Sequence, residues 1–172
     1  MKSMVRLPMA AVLTVMTIAL VMIGSRADAS SDSDKAEIIA LNQRITDAAS
    51  NRDLDAFMAN YLDANDAIFY EDTIPFQVEG KAGLRMFNQE FFQSSSQIHA
   101  GMGPITVAVS GDLAVAYYTL TITSTDKDGD HSEKGRYTQV LKKVDGKWLI
   151  WHEHFSVPYD PETEKAVLDA NP

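Results

Sequence analysis

The spacing of apolar residues changes once along the chain, near Ile98, from a helical period to a strand period. Before that point apolar residues recur three or four positions apart, which predicts helices over Ile38–Asn51, Asp53–Tyr61 and Lys81–Gln93. A short strand is predicted at Ala67–Tyr70, between the second and third helices. Beyond Ile98 apolar and polar residues alternate, so the rest of the chain is predicted to be an antiparallel meander.

The last hairpin is the clearest of these elements. Two runs rich in aromatic and β-branched residues lie within Gly135–Val157, and Asp145-Gly146 between them is a strong signal for a tight hairpin turn. Further turns are predicted at Ser110–Asp112 and Asp126–Asp130. Helices followed by a meander predict an α+β domain, with the N-terminal helices packed in a strongly bent antiparallel sheet.

Side chains of the final strand alternate between two sides of the sheet, and one side is almost wholly apolar. The apolar set is Leu149, Trp151, Glu153, Phe155 and Val157; the other set is Trp148, Ile150, His152, His154 and Ser156. We predict that the first set faces the domain interior. Glu153 would then lose hydration, which raises the pKa of a carboxyl group and is typical of a ligand-contacting or proton-transferring residue. The alternative is that Glu153 reaches the rim or pairs with Arg136.

The first residues have the features of an export signal. Lys2 and Arg6 precede the 17-residue apolar run Leu7–Ile23, and Ala27-Asp28-Ala29 fits the small-x-small cleavage pattern. The sequence therefore predicts a periplasmic or secreted protein, with an uncleaved membrane anchor as the alternative. The predicted segments are a signal peptide at 1–29, a disordered leader at 30–35, one folded domain at 36–160 and a C-terminal tail at 161–172.

Composition excludes several function classes. The 172-residue chain has no cysteine, so disulfides and thiolate chemistry are excluded. Its net charge is −9, and loss of residues 1–29 would change that to −11. An acidic surface repels phosphate backbones and anionic lipids, so neither nucleic acid nor, after signal cleavage, a membrane is an expected partner.

Two patterns resemble metal sites, and neither is complete. His152 and His154 point the same way on a strand, as zinc or copper ligands would, but no third ligand is near in sequence, so surface or dimer-interface histidines are expected. Asp126–Asp130 resembles a calcium loop, but Glu133 comes too early for a twelve-residue loop, which favours a turn. No nucleophile elbow is present. We predict no metal and no cofactor.

Five segments carry a family resemblance: ITDAASNRDLDAFMANY, the strand ending in Glu71-Asp72, the VEG of Val78–Gly80 with a helix behind it, LAVAYYTLT at Leu113–Thr121 and the terminal DGKWLIWHEHFSVP. Together they resemble the nuclear transport factor 2-like superfamily, in particular its SnoaL-like and ketosteroid-isomerase-like members. The closest likeness is to the association domain of calcium/calmodulin-dependent kinase II. The resemblance implies a cone-shaped α+β barrel, open at one end into a pocket and usually dimeric through the outer face of its sheet.

Strand alternation and the resemblance together give the candidate site. The candidate ligand-binding residues are Phe57, Tyr61, Tyr117, Thr119, Tyr137, Gln139, Trp151 and Phe155. The candidate catalytic residues are Glu71 and Glu153. The resemblance places Glu71, or alternatively Asp72, where isomerases keep a proton-shuttling carboxylate.

Other parts of the isomerase site are missing from this sequence. The resemblance places Ile45 where isomerases have a tyrosine, and Thr138 or Gln139 where they have a second acid. Without these donors an enolate oxygen loses most of its stabilisation, so steroid isomerisation is not expected. Tyr117 or Tyr137 could donate instead.

Three functions are consistent with this pattern. The first is binding of a small apolar or carbonyl-containing molecule in the pocket, by a homodimer or larger homo-oligomer. The second is a cofactor-independent isomerase or cyclase that uses Glu71 or Glu153 as general base. The third is an oligomerisation hub like the kinase association domain.

Overall fold

The structure is a computed structural model and describes residues 31–168. The residues from Lys35 onward form one compact unit, which contains the whole sheet. The predicted signal peptide lies outside the described residues. Within the described part of the chain, no helix has the length and apolar character needed to cross a membrane.

The three predicted helices are present. Helix α1 covers residues 31–50, α2 covers Leu54–Met58 and α3 covers Gly80–Ser94. The Asp53 carboxylate caps α2 by accepting a hydrogen bond from the Ala56 amide at 2.9 Å. Residues 31–35, which fall in the predicted disordered leader, are helical.

Nine strands follow from the alternating part of the sequence and its flanks. They are β1 Ile68–Tyr70, β2 Val78–Glu79, β3 Gln97–Met102, β4 Thr106–Ser110, β5 Leu113–Asp126, β6 Gly129–Val144, β7 Lys147–Ser156, β8 Tyr159–Asp160 and β9 Lys165–Ala166. The first seven form one sheet in the order β2-β1-β7-β6-β5-β3, with β4 also paired to β5. All its strand pairs are antiparallel except β1 with β7. The sheet is strongly curved and not closed, which confirms the predicted fold class.

The final hairpin contains an irregularity that regular strand alternation does not predict. Its turn has positive φ at Asp145 (50°) and Gly146 (76°), as a tight two-residue hairpin turn requires. Val140 pairs with His152 and Leu141 pairs with Ile150, so Trp151 is the extra residue of a β-bulge.

The bulge reverses the alternation of β7. Trp148 and Ile150, predicted to face outward, are buried in the core, and beyond the bulge Glu153 and Phe155 are buried on the same side. The predicted orientation is therefore wrong before the bulge and right after it.

Two groups of buried side chains lie on the inner face of the sheet. The main core, between the helices and the sheet, includes Ile38, Leu41, Met58, Leu84, Leu141, Trp148 and Ile150. A smaller aromatic cluster consists of Tyr118, Leu120, Tyr137 and Phe155. The segment predicted as a tail contributes β9, which pairs with β8, and the Leu168 carbonyl accepts a hydrogen bond from the Lys134 amide at 2.7 Å. Strand pairing thus continues past residue 160.

Candidate functional site

Glu153 is a buried carboxylate at the junction of the main core and the aromatic cluster. Only 2% of the surface of this residue is exposed to solvent. The Tyr61 hydroxyl donates to Oε2 at 2.9 Å and lies 3.2 Å from Oε1, and the Tyr137 hydroxyl also donates to Oε2. Arg136, the alternative partner, instead donates to the main-chain oxygen of Val157 at 3.2 Å. The partners of Glu153 are therefore neutral hydroxyl groups.

Local backbone contacts explain how these residues meet. Tyr61 follows α2 and forms a parallel bridge with Ile150, flanked by hydrogen bonds from Leu62 to Ile150 at 2.8 Å and from Ile150 to Asn60 at 2.9 Å. These hydrogen bonds hold Tyr61 against β7 at Ile150, which lies three residues before Glu153.

Strand register places the remaining groups of the site. On β6, Tyr137 lies opposite Phe155, and Gln139 lies opposite Glu153. On β1, Phe69 lies opposite Glu153 from the other side. The inner face therefore presents a row of Gln139, Glu153 and Phe69 across three strands, with the aromatic cluster beside it.

The surroundings of Glu153 leave it close to half-protonated at neutral pH. Burial raises the pKa of Glu153 to about 7, because the charged form loses hydration, while hydrogen bonds from Tyr137 and Tyr61, and the nearby amide of Gln139, act in the opposite direction. Burial and the nearby Glu153 carboxylate raise the pKa of both Tyr61 and Tyr137 well above its ordinary value. The two tyrosines therefore remain hydroxyl donors when Glu153 ionises.

Gln139 has unused hydrogen-bonding capacity. The residue is 0% exposed, and neither its Nε2 nor its Oε1 has a partner at normal hydrogen-bond geometry among the described residues. Its small lowering of the pKa of Glu153 indicates that the amide is near that carboxylate. Buried polar groups are rarely unpaired in folded proteins, so one donor and one acceptor are open to a bound molecule here.

Three further acids lie around Glu153. Glu71 is half-buried, two residues beyond Phe69 and therefore on the same side of the chain. Burial raises the pKa of Glu71 well above its ordinary value, and Glu153, Asp72 and Glu133 raise it further. Burial, followed by Asp72, raises the pKa of Glu133 to about 8. We refer to Glu71, Asp72, Glu133 and Glu153 as the acidic cluster.

A tyrosine–asparagine pair beside the site was not predicted. The Tyr118 hydroxyl donates to Asn42 Oδ1 at 2.9 Å, and Asn42 Nδ2 donates to the Ile38 carbonyl at 3.0 Å. The Tyr118 and Tyr137 ring centroids are 5.2 Å apart. The signal was present in β5, where Ala114, Ala116, Tyr118 and Leu120 form its uniformly apolar side and are all buried.

The structure brings together most of the predicted site residues. Those at or beside the Glu153 carboxylate are Tyr61, Glu71, Tyr137, Gln139 and Phe155, and Phe57 contacts the Tyr61 ring at a centroid distance of 5.3 Å.

Three predicted ligand-binding residues lie elsewhere. Tyr117 is 51% exposed, and Thr119 shares its side of β5, because the inner side belongs to Tyr118. Trp151 occupies the bulge, where its Nε1 donates to Asp66 at 3.1 Å and Lys142 Nζ lies 3.2 Å from its ring centroid. The structure thus places these three residues away from Glu153, because the prediction assumed an alternation that β5 and the bulged β7 do not follow.

The histidines of β7 lie on the side opposite Glu153. His152 Nδ1 donates to the Ile68 carbonyl at 2.6 Å, His154 is exposed, and both rings contact the edge of Tyr70. Over residues 31–168, no three His, Asp or Glu side chains are grouped as ligands for one metal ion.

Two open clefts of about 480 and 530 Å³ lie along α3 and contain none of the predicted site residues.

A curved sheet that holds a buried acid and tyrosine hydroxyls on its inner face defines a small α+β domain of the cone type. The chain belongs to the SnoaL-like domain family, whose sequence pattern matches residues 38–160. Members of this family typically have a ligand-binding pocket and often form oligomers.

Individual relatives agree with this assignment. The chain is similar to an NTF2-like protein of unknown function from Pseudomonas putida, with 27% identity, a TM-score of 0.73, and coverage of 83% of this chain and 99% of that one. A calcium/calmodulin-dependent protein kinase II association-domain-like protein from Xanthomonas campestris shares the fold, with 24% identity, a TM-score of 0.61, and coverage of 78% and 88%. Calcium/calmodulin-dependent protein kinase type II from Caenorhabditis briggsae is 29% identical over 146 residues, which are 80% of this chain and 26% of the kinase. The chain thus spans about a quarter of that kinase's length.

Proposed function

We propose that this protein is exported and binds a small, largely apolar molecule on the inner face of its sheet, with Glu153 as the polar anchor. The observation that carries this proposal is the pair formed by the buried Glu153 carboxylate and the unpartnered Gln139 amide. Ligand sites combine aromatic or apolar walls with a few fixed polar groups, and this face has that composition.

Energetics favour a functional role for the pair over a structural one. A buried carboxylate without a cation partner and a buried amide without hydrogen bonds both destabilise a fold, and apolar residues of similar volume would avoid that cost. Sequences depart from local consistency mainly at functional sites.

Two parts of the proposal rest on sequence and resemblance. Export is supported by the signal-like pattern of residues 1–29. A homodimer through the outer face of the sheet is supported by the family resemblance and by the exposed Tyr117 and Val115 on that face. Because Glu153 is buried, a ligand reaches it only when the side chains above it move.

Native mass spectrometry of protein purified from its own host tests binding and stoichiometry together. We expect a retained small-molecule adduct in the wild-type protein and in the control Glu162→Gln, which changes an exposed acid. Glu153→Gln and Tyr137→Phe should lose the adduct. Folded protein that retains no adduct, and gains none from an extract of host metabolites, would reject the proposal. A dimer is expected; a large ring would favour the oligomerisation hub.

Proton transfer is the second candidate function, and the pKa of Glu153 favours it. A carboxyl group whose pKa is about 7 can accept and return a proton at neutral pH. Glu153 or Glu71 would remove a proton from the carbon beside a carbonyl and return it to another carbon, without metal or cofactor. Turnover of a simple β,γ-unsaturated ketone should then depend on pH and be lost in Glu153→Gln or Glu71→Gln. Binding without turnover would leave the first function.

A further inference from the structure

We propose that the ligand carries an organic ammonium group, which binds between the acidic cluster and the aromatic rings around Glu153. This inference rests on the proposed binding function and specifies its ligand class. Three independent features of the inner face support it: clustered carboxyl groups without a cation partner among the described residues, an aromatic surround and the open acceptor of Gln139.

Within the described part of the chain, no cation is paired with the acidic cluster. None of the ion pairs described within residues 31–168 involves Glu71, Asp72, Glu133 or Glu153. The ammonium of Lys81 approaches the site but donates to the main-chain oxygen of Tyr61 at 2.7 Å. Carboxylates that share a poorly hydrated region repel one another, and a bound cation converts that repulsion into attraction.

Aromatic rings surround the buried end of the cluster. The Tyr61 and Phe69 ring centroids are 5.8 Å apart, and those of Tyr137 and Phe155 are 5.9 Å apart, with Glu153 bonded to a tyrosine of each pair. Aromatic faces attract cations, and rings combined with a carboxylate recognise alkylammonium groups in particular. An inorganic ion gains less from such walls, and no metal-ligand grouping is present among the described residues.

The Gln139 amide supplies the observation that points to a ligand independently of charge. Its Oε1 is a buried acceptor without a donor, directly across the β6–β7 pair from Glu153. An ammonium N–H placed between the two side chains would satisfy both Oε1 and the carboxylate. The Oε1 of Glu133 is likewise buried without a partner.

Burial of the acids increases from the surface toward Glu153. Asp72 is exposed, Glu71 and Glu133 are half-buried, and Glu153 is fully buried. Acidic groups clustered on one part of a surface attract cations to it. The apolar part of the ligand would then contact the rings.

Calorimetric titration with three compounds of similar shape tests the charge of the ligand. The probes are butylammonium, butanol and butyrate, added to the full-length protein at low and moderate salt. Butylammonium should bind at least about tenfold more tightly than butanol, and butyrate should not bind, because its charge is repelled. Added salt should weaken butylammonium binding alone.

Two variants locate the charge effect. Glu71→Gln should weaken butylammonium binding by about tenfold, since it replaces a carboxyl group that the bound cation would keep ionised with a neutral amide of the same shape. Glu162→Gln removes a distant exposed charge and should leave binding unchanged. During the titration the side-chain amide NMR signals of Gln139 should shift in the wild-type protein, which reports contact even if Glu71→Gln is poorly folded.

Three results would overturn the inference. They are butanol binding as tightly as butylammonium, an equal loss of binding in both variants, and no binding of butylammonium. If butanol binds as tightly as butylammonium but loses binding in Tyr137→Phe, the ammonium inference is rejected and the proposed binding function is kept. A retained adduct that has no basic nitrogen in native mass spectrometry would lead to the same conclusion. Absence of every adduct would reject the binding function itself.

Discussion

The main core and the Glu153 site lie on the same inner face of one sheet, yet they differ in the polarity and hydrogen bonding of their buried side chains. Around Leu84 and Ile150 the core is apolar, buried and without unmet hydrogen bonds. Around Glu153 the side chains are equally buried, but they include a carboxylate and three tyrosine hydroxyls that are hydrogen-bonded. They also include the Gln139 amide, which has no hydrogen-bond partner among the described residues. The first region accounts for stability, and the second keeps polar groups buried at a cost that a ligand would offset.

The largest effect should come from the main core. Leu84 is 0% exposed, and Leu84→Ala should lower the free energy of unfolding by about 2–5 kcal/mol at every pH, through lost burial and a cavity. Met86→Ala, on the same helix but at a residue that is 74% exposed, is the matched control and should change it by less than about 0.5 kcal/mol. Equal effects in urea unfolding would contradict the division into two regions.

The second effect is pH dependence that belongs to the Glu153 site. The pKa of Glu153 in the folded protein, about 7, lies above its ordinary unfolded value, so the folded state binds the proton more tightly. Stability from this group is therefore complete at acidic pH and is lost as pH rises through 7, by up to about 3 kcal/mol. Urea unfolding between pH 4 and 8 should show a larger loss in the wild-type protein than in Glu153→Gln, in which the raised pKa values of Glu71 and Glu133 still contribute. Parallel pH profiles for the two proteins would show that Glu153 does not titrate in this range.

The third effect concerns the aromatic cluster that borders the site. A Cβ at Gly135 would lie 2.5 Å from the Phe155 ring, so Gly135→Ala should destabilise the fold by about 1–3 kcal/mol and displace Phe155. Gly101→Ala, whose Cβ would approach only the Thr121 carbonyl at 3.9 Å, is the control and should be close to neutral. Thermal unfolding of both variants measures the difference; equal melting temperatures would mean that Gly135 is not a close-packed position.

The smallest effect distinguishes two adjacent tyrosines. Tyr118→Phe removes the donor to buried Asn42 and should cost about 1–2 kcal/mol. Tyr117→Phe changes an exposed residue and should be within about 0.5 kcal/mol of the wild type. If chemical denaturation ranked them in the opposite order, the assignment of the inner side of β5 would be wrong.

The difference between the regions also explains which features the sequence predicts. The core of α1 and the final hairpin follow from regular spacing, because helices and strands repeat their side-chain directions at fixed periods. The orientation of Trp148 and Trp151 could not be predicted, because it depends on the bulge in β7. A bulge adds one residue to a strand, and no residue pattern indicates it as clearly as Asp145-Gly146 indicates the hairpin turn.

Within the site, the acid was predicted and several of its partners were not distinguished from surface residues. Glu153 stood out as one carboxylate among apolar neighbours. Tyr118 was missed because Tyr117 beside it has the same side chain, and only the small residues two and four positions earlier mark the inner side. Asn42 lies on the buried face of α1, and no local pattern indicates that its partner is 76 residues away.

The central claim is that Glu153 is a buried, protonatable anchor on the inner face of the sheet. Carbon-13 NMR titration of the glutamate side-chain carboxyls, with the Glu153 signal assigned by its loss in Glu153→Gln, measures this directly. We predict a midpoint near pH 7, which butylammonium should shift to lower pH by favouring the charged form. A midpoint at the ordinary glutamate value, unchanged by the probe, would contradict the claim.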